Sequence, residues 1–286
     1  MENPSPVKLT LSNLRNRAIY LRSSLLPTGY EDQIHWLFIA TLPNSGSTAL
    51  AQLLSSAPAA TSLTSNGEGA WMIPALSGPF RSNPNLALDY DEIKAVWTNR
   101  IAKSAPKPCV VVEKSPCNLV RMKKLMDGFS PSPRTLVSLV RDPYAVCASW
   151  AKRYSRMNLR DAWVEPKEPL KEMSPDQELY WTMGTICGHR MQSMRELSDY
   201  VNVALSYEEI VADVPGVARK LKSACQTLEG IKSEIHVRVK DYAPQPLSNM
   251  NDRQIATLSD EQISWLTEGL RPYEEAVNAA GYTLRY

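Results

Sequence analysis

Between Ile34 and Leu54 an apolar run leads through a short polar loop into an amphipathic segment. The apolar run, residues 34–41, has the length and composition of a buried strand, and the amphipathic segment predicts a helix that opens at Ser47 or Thr48. A loop that delivers a helix N-terminus at the end of a buried strand gathers free backbone N–H groups on one spot. Such a spot suits an oxyanion, so this stretch predicts a phosphate-type site.

The loop itself reads Asn44-Ser45-Gly46-Ser47-Thr48. Three hydroxyl groups can donate hydrogen bonds to a ligand, and the glycine allows the backbone to come close to it. The loop lacks the Walker pattern of two glycines followed by Lys-Ser/Thr, because Ser47 stands in the place of the lysine. An ordinary strand–turn–helix with hydroxyl capping is the alternative that this loop alone leaves open.

Two later apolar runs also end in a cation. Residues 109–112 lead to Lys114, and residues 135–140 lead to Arg141. Such runs are typical of strands buried on both faces of a parallel sheet, and open α/β sheets bind ligands at the carboxyl ends of their strands. Ser149 follows in a predicted helix and could bracket one anion together with Arg141. Lys114 could instead be a surface lysine, and the Arg141–Ser149 pair could be unrelated.

Strand and helix patterns alternate along the chain, with a fourth strand over residues 201–206. This alternation indicates βαβ units, and hence an α/β fold with a central, mainly parallel sheet flanked by helices. No repeat or low-complexity linker divides residues 1–286, so we expect a single domain. Residues 1–33 would form an N-terminal helical arm, which could pack on the partner in a homodimer. The charged, proline-bearing segment 155–176 could cover a substrate site or serve as a linker.

Composition narrows the classes of function. The net charge is +2 with both signs interspersed, so nucleic acid is not an expected partner. The 5 cysteines are scattered without a CxxC pair, and the 3 histidines lack metal-ligand spacing, so we expect reduced thiols and no metal site. No apolar run approaches the roughly 20 residues that span a bilayer, and the polar N-terminus is unlike a signal peptide. We therefore expect a cytoplasmic protein without membrane partners.

Four motifs, in this order along the chain, resemble those of sulfotransferases that use 3′-phosphoadenosine 5′-phosphosulfate (PAPS) as donor. Residues 42–48, Leu-Pro-Asn-Ser-Gly-Ser-Thr, are similar to that family's loop for the 5′-phosphosulfate. Residues 112–116, Val-Glu-Lys-Ser-Pro, resemble its strand-end lysine segment. Residues 139–143 with Ser149 are similar to its 3′-phosphate motif, in which a serine follows an arginine by eight positions, as here. Residues 206–208, Ser-Tyr-Glu, resemble its Tyr-Glu-Asp segment.

The resemblance implies a P-loop-type sulfotransferase fold and a role for individual residues. Residues 44–48 would bind the 5′-phosphosulfate, and Arg141 with Ser149 would bind the 3′-phosphate. Tyr207 would contact the adenine. Lys114 would neutralise the charge that grows on the bridging oxygen as the product, 3′-phosphoadenosine 5′-phosphate (PAP), leaves. No metal ion would be required.

The resemblance also points to a general base. Glu68, in Gly67-Glu68-Gly69, begins a stretch similar to the Gly-Glu…Ile-Pro stretch of tyrosylprotein and bacterial sulfotransferases, whose glutamate serves as base. The histidine base of other members would fall on Pro116, so this role moves to Glu68. Taken without the resemblance, Glu68 could equally be a solvated loop acid.

Two departures from the family pattern concern charge. Asn44 stands where the family usually has Lys or Arg, so Lys114 must carry more of the neutralisation of the transferring group. The Arg-Lys-Gly segment with which eukaryotic cytosolic members bind the 3′-phosphate is missing, and Lys240 could substitute for it.

The expected reaction is transfer of the sulfonate group from PAPS to a hydroxyl or nitrogen of a small organic acceptor, for which we favour a natural product. Peptide tyrosine and carbohydrate acceptors stay open. A P-loop ATP-dependent kinase is one alternative, although neither a Walker lysine nor a magnesium-binding acid at a strand end is seen. A non-catalytic nucleotide-binding relative is the other, because Asn44 removes a charge from the loop.

Overall fold

The computed structural model describes residues 6–25, 31–102, 105, 109–167, 172–232, 236–237 and 245–286. Its centre is a five-stranded sheet with the strand order β2-β3-β1-β4-β5, in which all neighbours run parallel. The strands are β1 (Ile34–Thr41), β2 (Ala60–Ser62), β3 (Cys109–Glu113), β4 (Arg134–Val140) and β5 (Val203–Ser206). The prediction of an α/β fold with a parallel central sheet is therefore confirmed.

Helices cover both faces of this sheet. They are α1 (Pro6–Leu25), α2 (Ser47–Leu54), α3 (Pro74–Ser77), α4 (Tyr90–Ile101), α5 (Met122–Gly128), α6 (Pro143–Ala151), α7 (Pro175–Arg195), α8 (Tyr207–Ala212), α9 (Val214–Ala224), α10 (Asn251–Ile255), α11 (Asp260–Leu270) and α12 (Glu274–Ala279). Short 3₁₀ turns occupy Glu31–Gln33, Gly69–Met72, Pro116–Arg121, Ser198–Tyr200 and Arg271–Tyr273. None of the helices among the described residues combines the length and apolar character that a bilayer crossing requires.

The sheet separates two apolar cores because successive side chains of a strand point to opposite faces. On one face Trp36 and Phe38 of β1 pack edge-on against Phe129, with ring centroids 4.9 and 5.2 Å apart. On the other face Leu37 and Ile39 pack with residues of α2 and α9. Every residue of β3 is buried, as the uniform apolar runs predicted for strands covered on both faces.

One strand of the sheet is not indicated by the residue pattern. Residues 60–62 form β2, a three-residue edge strand paired with β3. The residues of β2, Ala-Thr-Ser, carry no apolar pattern. The strand forms because it pairs in parallel with the buried strand β3. Residues 236–237 pair antiparallel with residues 245–246 as a separate two-stranded ribbon, β6 and β7.

The carboxyl ends of the five parallel strands lie along one edge of the sheet. The chain places β2 and β3 on one side of β1 and β4 and β5 on the other. The turns after β1, β3 and β4 therefore meet where the connections reverse direction, which is the place where open α/β sheets bind ligands. Whether the whole chain is a single domain stays a prediction.

Candidate functional site

The loop after β1 forms a compact turn that presents the start of α2. Asn44 and Gly46 adopt left-handed backbone conformations, with φ of 67° and 90°. Gly46 is the N-cap of α2, and among the described residues no side chain caps the helix there. The Ser45 side chain is completely buried, and its Oγ has no hydrogen-bond partner in the described part of the chain. The loop therefore combines uncapped helix N–H groups with an unused buried hydroxyl, a donor set that fits an anion.

Gly46 is needed for space as well as for conformation. A methyl group at this position would lie 2.5 Å from Cδ2 of Tyr207, whose ring packs directly on the glycine. The same ring carries the Arg141 guanidinium, whose central carbon lies 4.1 Å from the ring centroid. Tyr207 is buried, and its hydroxyl donates to the Ser248 carbonyl at 2.7 Å. The ring therefore locks the β1 loop and the β4 end together.

Arg141 is buried and held by three neutral acceptors. Its Nη1 donates to the Asn44 carbonyl, its Nε to Asn251 Oδ1 and its Nη2 to Gln254 Oε1, each at 2.8 Å. A guanidinium has five N–H groups, two on each terminal nitrogen, so one N–H of Nη1 and one of Nη2 have no partner among the described residues. Burial lowers the pKa of Arg141 while Tyr207 opposes the shift, and the group is effectively always charged in proteins. Arg141 can thus bind an anion without giving up its present partners.

Glu208 orients Asn251, one of the three acceptors of Arg141. Its Oε1 accepts hydrogen bonds from Asn251 Nδ2 and, at 3.2 Å, from the Asp142 backbone N–H. Its Oε2 accepts from the Tyr282 hydroxyl at 2.8 Å. Sequence reasoning noted Glu208 only as part of a motif and missed Asn251. No local pattern could indicate Asn251, because 110 residues separate it from Arg141.

Lys114 connects the β3 end with the loop after β1. Its ammonium Nζ donates to Thr48 Oγ1 at 3.0 Å and to Glu68 Oε1 at 2.8 Å. The lysine is only 2 % exposed, whereas the Glu68 side chain is 20 % exposed. The second oxygen of Glu68 accepts from the Trp71 indole N–H at 2.7 Å. A carboxylate offers about four lone-pair sites, so Glu68 can accept further hydrogen bonds from the open side.

A buried carboxylate to which sequence reasoning assigned no role fixes this arrangement. Glu113 is completely buried, and its Oε1 accepts from the backbone N–H of Gly69 at 3.2 Å and of Ser115 at 3.0 Å, and from the Ser115 hydroxyl. Its Oε2 accepts from Asn118 Nδ2 at 3.2 Å. Burial raises the pKa of Glu113, and these hydrogen bonds oppose the shift. Glu113 thus ties the turn after Glu68 to the strand end that carries Lys114.

Ser149, in contrast to Lys114, Tyr207 and Glu68, has no side-chain contact with another predicted site residue in the described part of the chain. It lies on α6, is half-buried, and no hydrogen bond joins it to Arg141 or to the loop after β1 within the described residues. Its role in anion binding stays a prediction. Lys240, which could have substituted for the missing basic segment, lies outside the described residues.

A cavity of about 680 Å³ opens between the loop after α3 and the start of α7. Residues 158–166, from the segment that could cover a substrate site, form one wall, and residues 79–80 form another. Phe80 is 62 % and Trp163 is 40 % exposed, so both rings are accessible. Residues 168–171 of this segment lie outside the described residues.

The segment that carries Phe80 also contacts Trp71, a hydrogen-bond partner of Glu68. Arg81, next to Phe80, places its guanidinium 5.3 Å from the centroid of the Trp71 ring, and the same indole binds Glu68. The buried Arg121 holds this loop by donating from Nη2 to the carbonyls of Arg81 and Asn83 at 2.6 and 2.9 Å.

Comparison with known proteins identifies the family. The model of the sulfotransferase family matches residues 37–227. Among solved structures, the sulfotransferase STF9 from Mycobacterium avium is 15 % identical with a TM-score of 0.57, and the match covers 96 % of this chain and 84 % of that one. A sulfotransferase from Alicyclobacillus acidocaldarius is 14 % identical with a TM-score of 0.48, covering 87 % of this chain and 96 % of that one.

No curated protein is significantly similar to this chain in sequence. At 15 % identity the structural likeness to STF9 speaks for the fold alone. The family model covers well over half of the chain, including the loop after β1 and the ends of β3, β4 and β5. The chain therefore belongs to the sulfotransferase family.

Proposed function

We propose that this protein transfers the sulfonate group of PAPS to a hydroxyl or nitrogen of a small organic acceptor, in particular a natural product, and releases PAP. One observation carries the proposal: the Lys114 ammonium donates both to Thr48, at the start of α2, and to the partly exposed Glu68 carboxylate. A cation for the leaving group and a base for the nucleophile thus meet at one point. The family supplies the reaction class, and this geometry supports the roles.

The residues present fit a nucleotide that is anionic at both its 5′ and 3′ ends. The first N–H groups of α2 and the Ser45, Ser47 and Thr48 hydroxyls would hold the 5′ end, because Ser45 Oγ lacks a partner within the described residues. The two unassigned N–H groups of Arg141 would hold the 3′-phosphate. The Tyr207 ring contacts both Gly46 and the Arg141 guanidinium, so we infer that it fixes the guanidinium beside the adenine that it would contact.

PAPS, when bound, supplies an activated sulfur atom whose bond to the phosphate oxygen breaks as the acceptor oxygen or nitrogen bonds to it. Lys114 would neutralise the charge that grows on the leaving oxygen, and it must do so without the basic residue that Asn44 replaces. Glu68 would take the proton of the acceptor. Positioning and charge stabilisation dominate such group transfers, as in phosphoryl transfer.

The cavity between residues 79–80 and 158–166 would admit the acceptor. Its accessible Phe80 and Trp163 rings favour a small or medium molecule with an apolar or aromatic part. We place the reaction in the cytoplasm. All five cysteines lie in the described residues and none forms a disulfide, which suits a reducing compartment.

The decisive experiment replaces the lysine. We expect Lys114→Ala to lower turnover with labelled PAPS by about 10²–10³, the usual effect of losing one transition-state donor. Lys123→Ala is the matched control, because Lys123 lies on α5 with a 62 % exposed side chain. Turnover of Lys114→Ala within a few-fold of the wild type, measured with an acceptor found by screening, would refute the role of the lysine.

Thermal protection separates the proposal from its alternatives. We expect PAP to raise the Tm of the wild type, and ATP with Mg²⁺ to leave it unchanged. Protection by ATP with Mg²⁺ alone would favour a kinase. Protection by PAP without sulfonate transfer to any acceptor class would favour a non-catalytic relative.

A further inference from the structure

Helix α1 leaves a row of leucines uncovered. Leu11, Leu14, Leu21 and Leu25 are 62, 64, 51 and 79 % exposed. Soluble proteins rarely leave several large apolar side chains exposed on one element, and a contiguous row of them marks an interaction surface.

The spacing of these residues identifies the kind of surface. Leu11, Leu14, Ala18, Leu21 and Leu25 follow one another at intervals of three, four, three and four residues, and Ala18 is exposed as well. This is the a/d pattern of a heptad repeat, whose seam faces a partner helix. We call these five residues the leucine seam. It covers about 21 Å of helix, at roughly 1.5 Å per residue.

The opposite face of α1 is attached to the body of the protein. Asn16 Nδ2 donates to the Met72 carbonyl at 3.0 Å, and Ile19 packs against the main core. Arg17 Nη1 lies 3.5 Å from the carboxylate of Asp89, the N-cap of α4, and 3.7 Å from that of Glu92 in the first turn. These contacts fix the rotation of the helix, so the leucine seam is presented outward as a preformed surface.

Charge decides between possible partners. Arg15 and Arg22 follow Leu14 and Leu21 at the same flanking position of the repeat, and both are exposed without an ion pair within the described residues. Lys8 occupies the same position one heptad earlier in the sequence, and α1 contains no Asp or Glu. Two copies of α1 pairing with each other would set these cations against one another in either orientation. An acidic edge on the partner would instead complement them.

We propose that the leucine seam docks an amphipathic helix of another protein, one with apolar residues at heptad spacing and Glu or Asp at its flanking positions. The apolar stripe is only one a/d row wide, which suits a helix partner better than the broad face that a membrane surface requires. The docked helix would lie on the outer face of α1, whose inner face contacts Met72 through Asn16.

The test uses the full chain and two fluorescent peptides of three heptads, with Leu at a and d and either Glu or Lys at e and g. We expect the Glu peptide to bind at least tenfold more tightly than the Lys peptide by anisotropy. Leu14→Ser with Leu21→Ser should weaken binding of the Glu peptide at least tenfold. Arg15→Glu with Arg22→Glu should reverse the preference. Asn13→Ser, an exposed position off the seam, is the control and should change nothing.

Three results would overturn the proposal. One is that neither peptide binds, or that both bind equally. Another is a wild-type dimer in sedimentation that the Leu14/Leu21 double variant abolishes, because the occupant would then be a second copy. The third is tighter binding to vesicles of phosphatidylcholine and phosphatidylserine than to the Glu peptide. The Tm of the Leu14/Leu21 double variant should stay near that of the wild type. Its weaker peptide binding would then be due to the missing leucines and not to unfolding.

Discussion

Replacing Gly46 by alanine tests the packing that joins the two proposed phosphate subsites. The new methyl group would lie 2.5 Å from Tyr207 Cδ2, whereas carbon atoms prefer about 3.5–4.0 Å, so the ring must move by about 1 Å. Such overpacking typically costs about 1–3 kcal/mol. Alanine at a φ of 90° adds about 1–2 kcal/mol. The free energy of unfolding should therefore fall by roughly 2–5 kcal/mol.

Two other glycines separate these contributions. Gly281 has a φ of 87° but open space around it, so Gly281→Ala should show the backbone strain alone. Gly78 has an ordinary φ of −87° and also open space, so Gly78→Ala should be neutral or slightly stabilising. At about 2 °C per kcal/mol for a chain of this size, we expect Tm to fall by roughly 4–10 °C in Gly46→Ala. The corresponding fall is about 2–4 °C in Gly281→Ala.

The same variant should weaken PAP binding, because a displaced Tyr207 ring displaces the Arg141 guanidinium that stacks on it. Loss of one hydrogen bond to a charged group is worth about 1.5–3 kcal/mol, or roughly 10- to 100-fold in Kd by titration calorimetry. Gly281→Ala and Gly78→Ala should bind PAP like the wild type. If Tm falls no further in Gly46→Ala than in Gly281→Ala, the Tyr207 ring does not pack on Gly46 as described. If Tm falls further but the Kd for PAP is unchanged, the ring does not hold Arg141 in place for the nucleotide.

Three further variants test other parts of the structure. Glu113→Gln should lower kcat by about 10- to 100-fold with little change in PAP affinity, because the displaced turn misaligns Glu68; wild-type kcat would contradict this. Arg121→Met should lower Tm by several degrees, because the Arg81 and Asn83 carbonyls lose a buried donor; an unchanged Tm would exclude that anchoring. Burial lowers the pKa of His35 from 6.5, so the unfolded chain binds more protons just below that pH, and acidification destabilises the fold. Between pH 7 and 5.5 the Tm of His35→Gln should therefore fall less than that of the wild type. An equal fall in both proteins would show that His35 does not contribute to the acid sensitivity of the fold.

The parts of the fold that sequence could predict are those written in consecutive residues. Cys109–Val112 is apolar throughout, so its burial and the position of Lys114 after it follow from local pattern. The loop at residues 44–48 was recognisable for the same reason. The three residues of β2 carry no such pattern, since their pairing depends on the neighbouring strand.

The supporting contacts of the site could not be predicted because they join distant positions. Glu113 stands beside Lys114 in sequence, yet one of the donors to its buried carboxylate is the backbone N–H of Gly69, 44 residues away. Gln254 reaches Arg141 across 113 residues. Motifs therefore indicate which groups are chemically suited to a site, whereas their orientation depends on tertiary structure.

The hydrogen bond from Arg141 to the Asn44 carbonyl also has a consequence for selectivity. It makes the turn after β1 and the end of β4 one rigid unit, so their separation is set before any nucleotide arrives. For the donor proposed here, that fixed separation selects nucleotides whose two anionic ends are the matching distance apart. A nucleotide such as ADP, with phosphates only on its 5′ side, could occupy the 5′ subsite and would leave the 3′ subsite empty.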